Sequence, residues 1–135
     1  MYKILIVEDD QGIAEGIQTR CQSWGFEVQC VNDFKDVLHT FVSFHPHLVL
    51  LDITLPFYDG FYWCSEIRKI SKTPIIFISS ATERMNMLMA MNMGGDDFVS
   101  KPFDIDVLLA KIHALLRRTY DFSNENTLLE FHGAF

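Results

Sequence analysis

The sequence has little that would let it span a membrane, clamp a zinc ion or grip nucleic acid. No apolar run approaches the roughly 18 residues that a membrane span needs. The opening stretch, MYKILIVEDD, reaches its acids after a short apolar run and is no secretory signal. Cysteine is sparse: Cys21, Cys30 and Cys64 are an odd, scattered set with no C-x-x-C pair. That excludes a disulfide framework and a thiolate zinc site, and fits reduced core thiols in a cytoplasmic protein. Positive charge is short as well. Eleven Lys and Arg against 18 Asp and Glu give a net charge of −7, which disfavours direct contact with DNA, RNA or anionic lipid.

What remains is an ordinary globular balance, 49% apolar and 21% charged, over 135 residues. That is enough for one compact domain with a proper core. KILIV (3–7) reads as a first strand. Ile13, Ile17, Cys21 and Trp24 recur at helical spacing before a stop at Gly25. FEVQCV (26–31) alternates like a strand, and Asn32 or Asp33 can cap a helix carrying Val37, Leu38 and Phe41. LVLL (48–51) is a strand buried on both faces. The spacing predicts a helix over 60–71 with Phe61, Cys64, Ile67 and Ile70 inward. PIIFIS follows as a fourth strand, with Pro74 suited only to its first position. A Met-rich helix over 82–93 ends at Gly94 and Gly95, and DFVS (97–100) is a fifth strand. The last helix starts at Asp104, buries Leu108, Leu109, Ile112, Leu115 and Leu116, and closes on Arg117 and Arg118. Strands alternating with helices through short loops imply a doubly wound α/β domain with a parallel sheet.

In such a sheet, chemistry gathers beyond the carboxyl ends of the strands. The first strand is followed there by Glu8, Asp9 and Asp10, the third by Asp52, the fourth by Ser79 and Ser80, and the fifth by Lys101. Two like charges about 4 Å apart repel by roughly 4 kcal/mol at an effective dielectric near 20. Glu8, Asp9 and Asp52 therefore require a protonation or a cation among them. All-oxygen ligands with room for water suit Mg²⁺ or Mn²⁺. Lys101 alone cannot bridge three acids.

The stretches ILIVEDD, LVLLDITLPFYDG, PIIFISSA and GGDDFVSKPF together resemble the receiver domain of bacterial response regulators, in order, over residues 1–119. GGDDFVSKPF with LLAKIHALLRR is similar to the OmpR/PhoB-like subfamily, whose effector is a winged-helix DNA-binding domain. LPFYDGFYWCSEIR resembles the branch paired with bacitracin- and antimicrobial-peptide-sensing kinases.

The resemblance implies a five-stranded parallel sheet of order 2-1-3-4-5 with five helices. It makes Asp52 the phosphoacceptor and a sensor histidine kinase the donor. It assigns Mg²⁺ to Glu8, Asp9, Asp52 and the backbone carbonyl of Thr54, and charge neutralisation to Lys101. Ser79, small Ser80 and Phe98 take the switch positions, and the Lys101–Pro102 peptide is expected to be cis. Phe98 stands where Tyr is usual and lacks a phenolic hydroxyl. Ser79 stands where Thr is frequent, which keeps the donor and loses a methyl. Homodimerisation on phosphorylation falls to a face with Asp96, Asp97, Lys111 and Arg118, while Met87 and Val107 replace a usual Arg and Glu. DNA is contacted only through a C-terminal domain, of which residues 120–135 are read as the linker and opening.

Plainer readings hold elsewhere. Asp10 is taken as a helix cap, Asp59–Gly60 as loop geometry, and His45 and His47 as a solvated loop. Met85, Met87, Met89, Met91 and Met93, spaced by two, cannot share one helical face. Phe57, Tyr58, Phe61, Tyr62 and Trp63 exceed what core packing can use. Two other functions compete. A flavodoxin-like electron carrier would need a phosphate cradle where the acids of EDDQG stand. A Mg²⁺-dependent aspartyl-phosphate phosphatase would place its nucleophile after the first strand in a D-x-D pattern.

Overall fold

A computed structural model describes residues 1–80 and 84–121. The five strands are β1 (Lys3–Val7), β2 (Glu27–Cys30), β3 (Leu48–Asp52), β4 (Ile75–Ser79) and β5 (Asp97–Ser100). Between and after them run α1 (Gln11–Ser23), α2 (Val37–Phe44), α3 (Gly60–Arg68), α4 (Arg84–Asn92) and α5 (Ile105–Leu116). All pairings are parallel and the order is β2-β1-β3-β4-β5, as expected. The reversal of strand order between β1 and β3 opens a crevice at the carboxyl edge.

The period-two rule sorts the strand residues onto two cores. Leu5, Val7, Val49, Leu51, Ile75 and Phe77 face α2, α3 and α4; Ile4, Ile6, Leu48, Leu50, Ile76 and Ile78 face α1 and α5. Every residue of β3 and β4 is buried. Each fully covered Leu or Ile contributes about 1.5–3 kcal/mol, so the central strands anchor the site they carry. β2 alternates exposed and half-buried residues as an edge strand does.

Several boundaries differ from the sequence expectation. Asp36, not Asn32 or Asp33, caps α2 by accepting from the His39 N–H; Asp33 instead accepts from the Lys35 N–H in a turn. The helix begins at Val37, so only Asp36 can reach its orphan donors. Trp24 follows the end of α1 and is exposed, its ring edge against His113. Ile70 lies past the end of α3 and is also exposed. Asp10 caps α1 as expected, and Asp59 caps α3. The expected start of the Met-rich helix at Thr82 lies outside the described residues. Within α4, Met87, Met89 and Met91 are exposed and Ala90 is buried; Met93, just beyond it, packs on the core.

Arg117 caps the C-terminus of α5, as expected, but the chain does not leave the domain there. A π turn follows over Arg117–Asp121, and Tyr120, placed in the linker by the sequence, packs back on the domain. Its hydroxyl donates to the His47 carbonyl at 2.6 Å, and its ring meets those of Tyr2 and His47. The rest of the expected linker, 122–135, lies outside the described residues.

His47 is likewise no solvated loop residue. Its Nδ1 accepts from the Lys3 N–H at 2.9 Å, and its ring packs against Tyr2. Burial pushes its pKa down, helped by the charges of Lys3 and the N-terminal ammonium. A histidine with a depressed folded pKa contributes stability present above its unfolded pKa of about 6.5 and lost as pH falls. Denaturation midpoints are therefore expected to drop between about pH 7.5 and 5.5. His47→Asn, whose side-chain oxygen can accept the same N–H without titrating, is expected to flatten that slope in urea titrations. An unchanged slope would remove His47 as its cause.

Candidate functional site

Strand register sets the polar ends at one level. Val7 pairs with Leu51, Asp52 with Ile78, and Ser79 with Ser100. Glu8 and Asp9 follow β1, Asp52 and Ser79 end β3 and β4, and Lys101 follows β5. The sequence-predicted acids meet. One carboxylate oxygen each from Glu8, Asp9 and Asp52 lies within 4.8 Å of the others. Glu8 and Asp52 are buried while Asp9 is exposed.

Lys101 reaches into the same nook, its Nζ 2.6 Å from Glu8 Oε1 and 3.2 Å from Asp52 Oδ2. Glu8 Oε2 accepts from the Asp10 N–H at 3.2 Å, and Asp52 Oδ1 from the Thr54 N–H at 3.3 Å. Glu8 Oε1 has the lysine as an ion-pair partner but, among the described residues, no hydrogen-bond donor of good geometry. Burial pushes the Glu8 carboxyl up; Asp52 adds to this and Lys101 opposes it. Burial also pulls the Lys101 ammonium down, but the two carboxylates outweigh that and hold it above its ordinary value.

Three carboxylates against one ammonium leave the nook short of positive charge. Two buried carboxylates, an exposed acid open to solvent and an all-oxygen donor set fit a hard divalent cation. Lys101 would stand beside it as a second cation. The nook can stabilise anionic oxygens and presents a buried carboxylate as nucleophile.

The remaining sites are placed as follows. Ser79 is fully buried at the end of β4. Ser80 is exposed and lines a cavity of about 370 Å³ with Lys101, Pro102, Phe103 and Ile13. The Lys101–Pro102 peptide is cis. Phe98 is half-buried, pairs with Phe77 across the sheet and packs on the α2–α4 side. Asp97 and Lys111 form an ion pair at 3.2 Å between β5 and α5. Asp96 turns the other way, to Arg68 of α3 at 3.0 Å, and accepts from the Ile75 N–H. Arg118 is exposed in the π turn.

Two contributors escaped the sequence reading. Arg68 donates to the carbonyls of Gly94, Ser71 and Thr73 besides pairing with Asp96, and so ties α3 to the loop before β5. A lone arginine near a helix end reads only as a dipole partner, so nothing local marked it. Gly60 is the other. A Cβ there would sit 2.2 Å from the Asp52 carbonyl oxygen. In the sequence it reads only as a turn glycine, because the close approach belongs to the tertiary fold.

With this geometry the comparisons agree. Residues 4–113 match the model of the response regulator receiver domain. This chain belongs to the response regulator receiver family. It is 52% identical over 138 residues to the uncharacterized transcriptional regulatory protein YvcP of Bacillus subtilis, covering 98% of this chain and 58% of that protein. It is 45% identical to the sensory transduction protein BceR of Halalkalibacterium halodurans, covering 96% and 56%. Among solved structures, the N-terminal domain of the nisin resistance regulator NsrR superposes with a TM-score of 0.80 at 50% identity, covering 87% of this chain and 99% of that one. The receiver thus spans little more than half the length of the curated relatives it matches. NsrR is a lantibiotic response regulator, and Thermotoga maritima DrrB, another solved structure similar to this chain (32% identity, TM-score 0.79), is an OmpR/PhoB homologue. This chain is a signalling module rather than a conventional enzyme. Among the described residues no helix is long and apolar enough to cross a membrane.

Proposed function

We propose that Asp52 accepts a phosphoryl group from a phosphohistidine of a sensor histidine kinase. A carboxylate oxygen of Asp52 forms the new P–O bond as the P–N bond breaks, and the imidazole leaves with the electron pair. Glu8, Asp9, Asp52 and the Thr54 carbonyl would hold Mg²⁺, which would offset charge on the transferring phosphoryl oxygens. Lys101 holds its ammonium against Asp52 and supplies positive charge to the same oxygens. Thr54 N–H orients the acceptor carboxylate.

Once formed, the acyl phosphate carries about −1.5 to −2 charge and three acceptor oxygens. The Ser79 hydroxyl donates to one of them, Ser80 leaves room, and Phe98 follows Ser79 inward. The change is limited by the differential contacts the phosphoryl group makes in the two states. It is read out on the face of α4, β5 and α5, where two receivers pair through Asp97, Lys111 and Arg118. Transcription is then controlled through a C-terminal DNA-binding domain in the cytoplasm.

The single observation that supports this reading is the convergence of Glu8, Asp9, Asp52 and Lys101 at the carboxyl edge. Intact-mass analysis after incubation with acetyl phosphate and Mg²⁺ tests it. One labile phosphoryl adduct is expected on the native chain and none on Asp52→Asn. Equal labelling of both would remove Asp52 from its role.

A further inference from the structure

On the loop that leaves Asp52 and the first turn of α3 that follows it, three aromatic rings face solvent. Phe57 is 66% exposed, Tyr58 45% and Tyr62 40%. None is needed by the core, which Phe61 and Trp63 fill from the same segment. Phe57 has φ +71°, a left-handed conformation that aromatic residues rarely adopt. The loop therefore holds this ring outward at some conformational cost and with little burial in return.

The rings are also ordered. Those of Tyr58 and Tyr62 stack with centroids 4.3 Å apart and planes 18° from parallel. Buried Trp63 meets both edge-on, at 5.5 Å and 4.9 Å. This is a supported platform. Phe57 already carries a cation: the Lys35 ammonium lies 5.0 Å from its ring centroid. The charges around it are mostly negative. Asp33 and Asp36 flank Lys35 in sequence, Asp59 lies between Tyr58 and Tyr62, and all three acids are exposed.

We propose that Phe57, Tyr58 and Tyr62, with Asp33, Asp36 and Asp59, form a docking surface for a basic protein segment that presents arginine. The acids would repel an acidic partner, and a purely apolar one would have no use for them. A guanidinium stacks flat on an aromatic face while its N–H groups reach carboxylates at the rim. A lysine ammonium is a compact point charge: it can pair with a carboxylate but cannot stack flat on the ring at the same time. The Lys35–Phe57 pair is an internal stand-in that the partner displaces. The inference goes beyond phosphoryl acceptance and does not require it. Its position matters all the same: Gly60 N–H donates to the Ile53 carbonyl at 2.8 Å, which closes this loop directly on Asp52.

The test is an NMR titration of the ¹⁵N-labelled chain with a helical peptide bearing two arginines one turn apart, and with its lysine and citrulline counterparts. Amide shifts are expected at 33–36 and 57–63, with affinity falling from arginine to lysine to citrulline. Tyr58→Ser/Tyr62→Ser is expected to weaken the arginine peptide about fivefold or more. Lys35→Ala is expected to tighten it about two- to threefold by freeing Phe57. Amide shifts that match the native spectrum away from 33–36 and 57–63 show that the variants are folded. No binding by the native chain, equal binding by the double variant, or shifts centred on Glu8, Asp9 and Asp52 would each overturn the proposal.

Discussion

Lys101→Met is expected to destabilise the metal-free domain by about 3 kcal/mol at neutral pH. Among the described residues, Lys101 is the one cation in contact with Glu8 and Asp52. Methionine keeps the stem and its packing but leaves two buried carboxylates facing each other beside Asp9. Breaking a buried pair costs more than the pair is worth, because the charge left behind stays desolvated. The loss should depend on pH. The Glu8 carboxyl is already raised, first by burial, so in the variant it takes up a proton readily as pH falls. A raised acid contributes stability below its unfolded pKa and loses it as pH rises. The gap between native and variant should therefore narrow near about pH 5 and be widest above neutrality. Millimolar Mg²⁺ should restore part of it by occupying the acids. Urea denaturation at two pH values, with and without Mg²⁺, reads all three effects. A gap that ignores both pH and Mg²⁺ would mean that Lys101 acts by packing alone.

Gly60→Ala should cost as much, by a different route. The added methyl would lie 2.2 Å from the Asp52 carbonyl oxygen and 2.9 Å from the Ile53 Cα. Both are backbone atoms of the strand end and its exit, and neither can rotate away. The start of α3 must move off β3, straining the Gly60–Ile53 hydrogen bond and tilting the Asp52 carboxylate. Overpacking of this kind costs about 3 kcal/mol, and Asp52 labelling by acetyl phosphate should slow by about tenfold or more. Gly16→Ala makes the control, since none of the described residues lies within 4 Å of its Cβ position in α1. It should be neutral or gain up to about 1 kcal/mol from helix propensity. Equal effects of the two substitutions would show that the glycines matter only through backbone entropy.

Those two glycines also mark what a sequence can and cannot convey. Strand and helix order was readable because β3 and β4 are unbroken apolar runs and α1 and α5 repeat at helical spacing. The acidic nook was readable because topology puts strand ends together once the parallel sheet is accepted. Helix caps slipped by a few residues, as at Asp36, since several Asx residues near a start are locally equivalent. Trp24 and Ile70 were misplaced because the apolar period ran on past the helix end. His47, Arg68 and Tyr120 were invisible for another reason. Each takes its role from a partner distant in the chain: the Lys3 N–H, the Gly94 carbonyl and the His47 carbonyl.

The most direct measurement is the rate at which acetyl phosphate labels the native chain, followed by intact mass, in excess Mg²⁺ and again in excess chelator. If Glu8, Asp9 and Asp52 act by sharing a divalent cation, labelling proceeds to a single adduct in the first case and is nearly absent in the second. Equal labelling in both would contradict a metal-assisted acceptor and leave Lys101 as the sole source of positive charge.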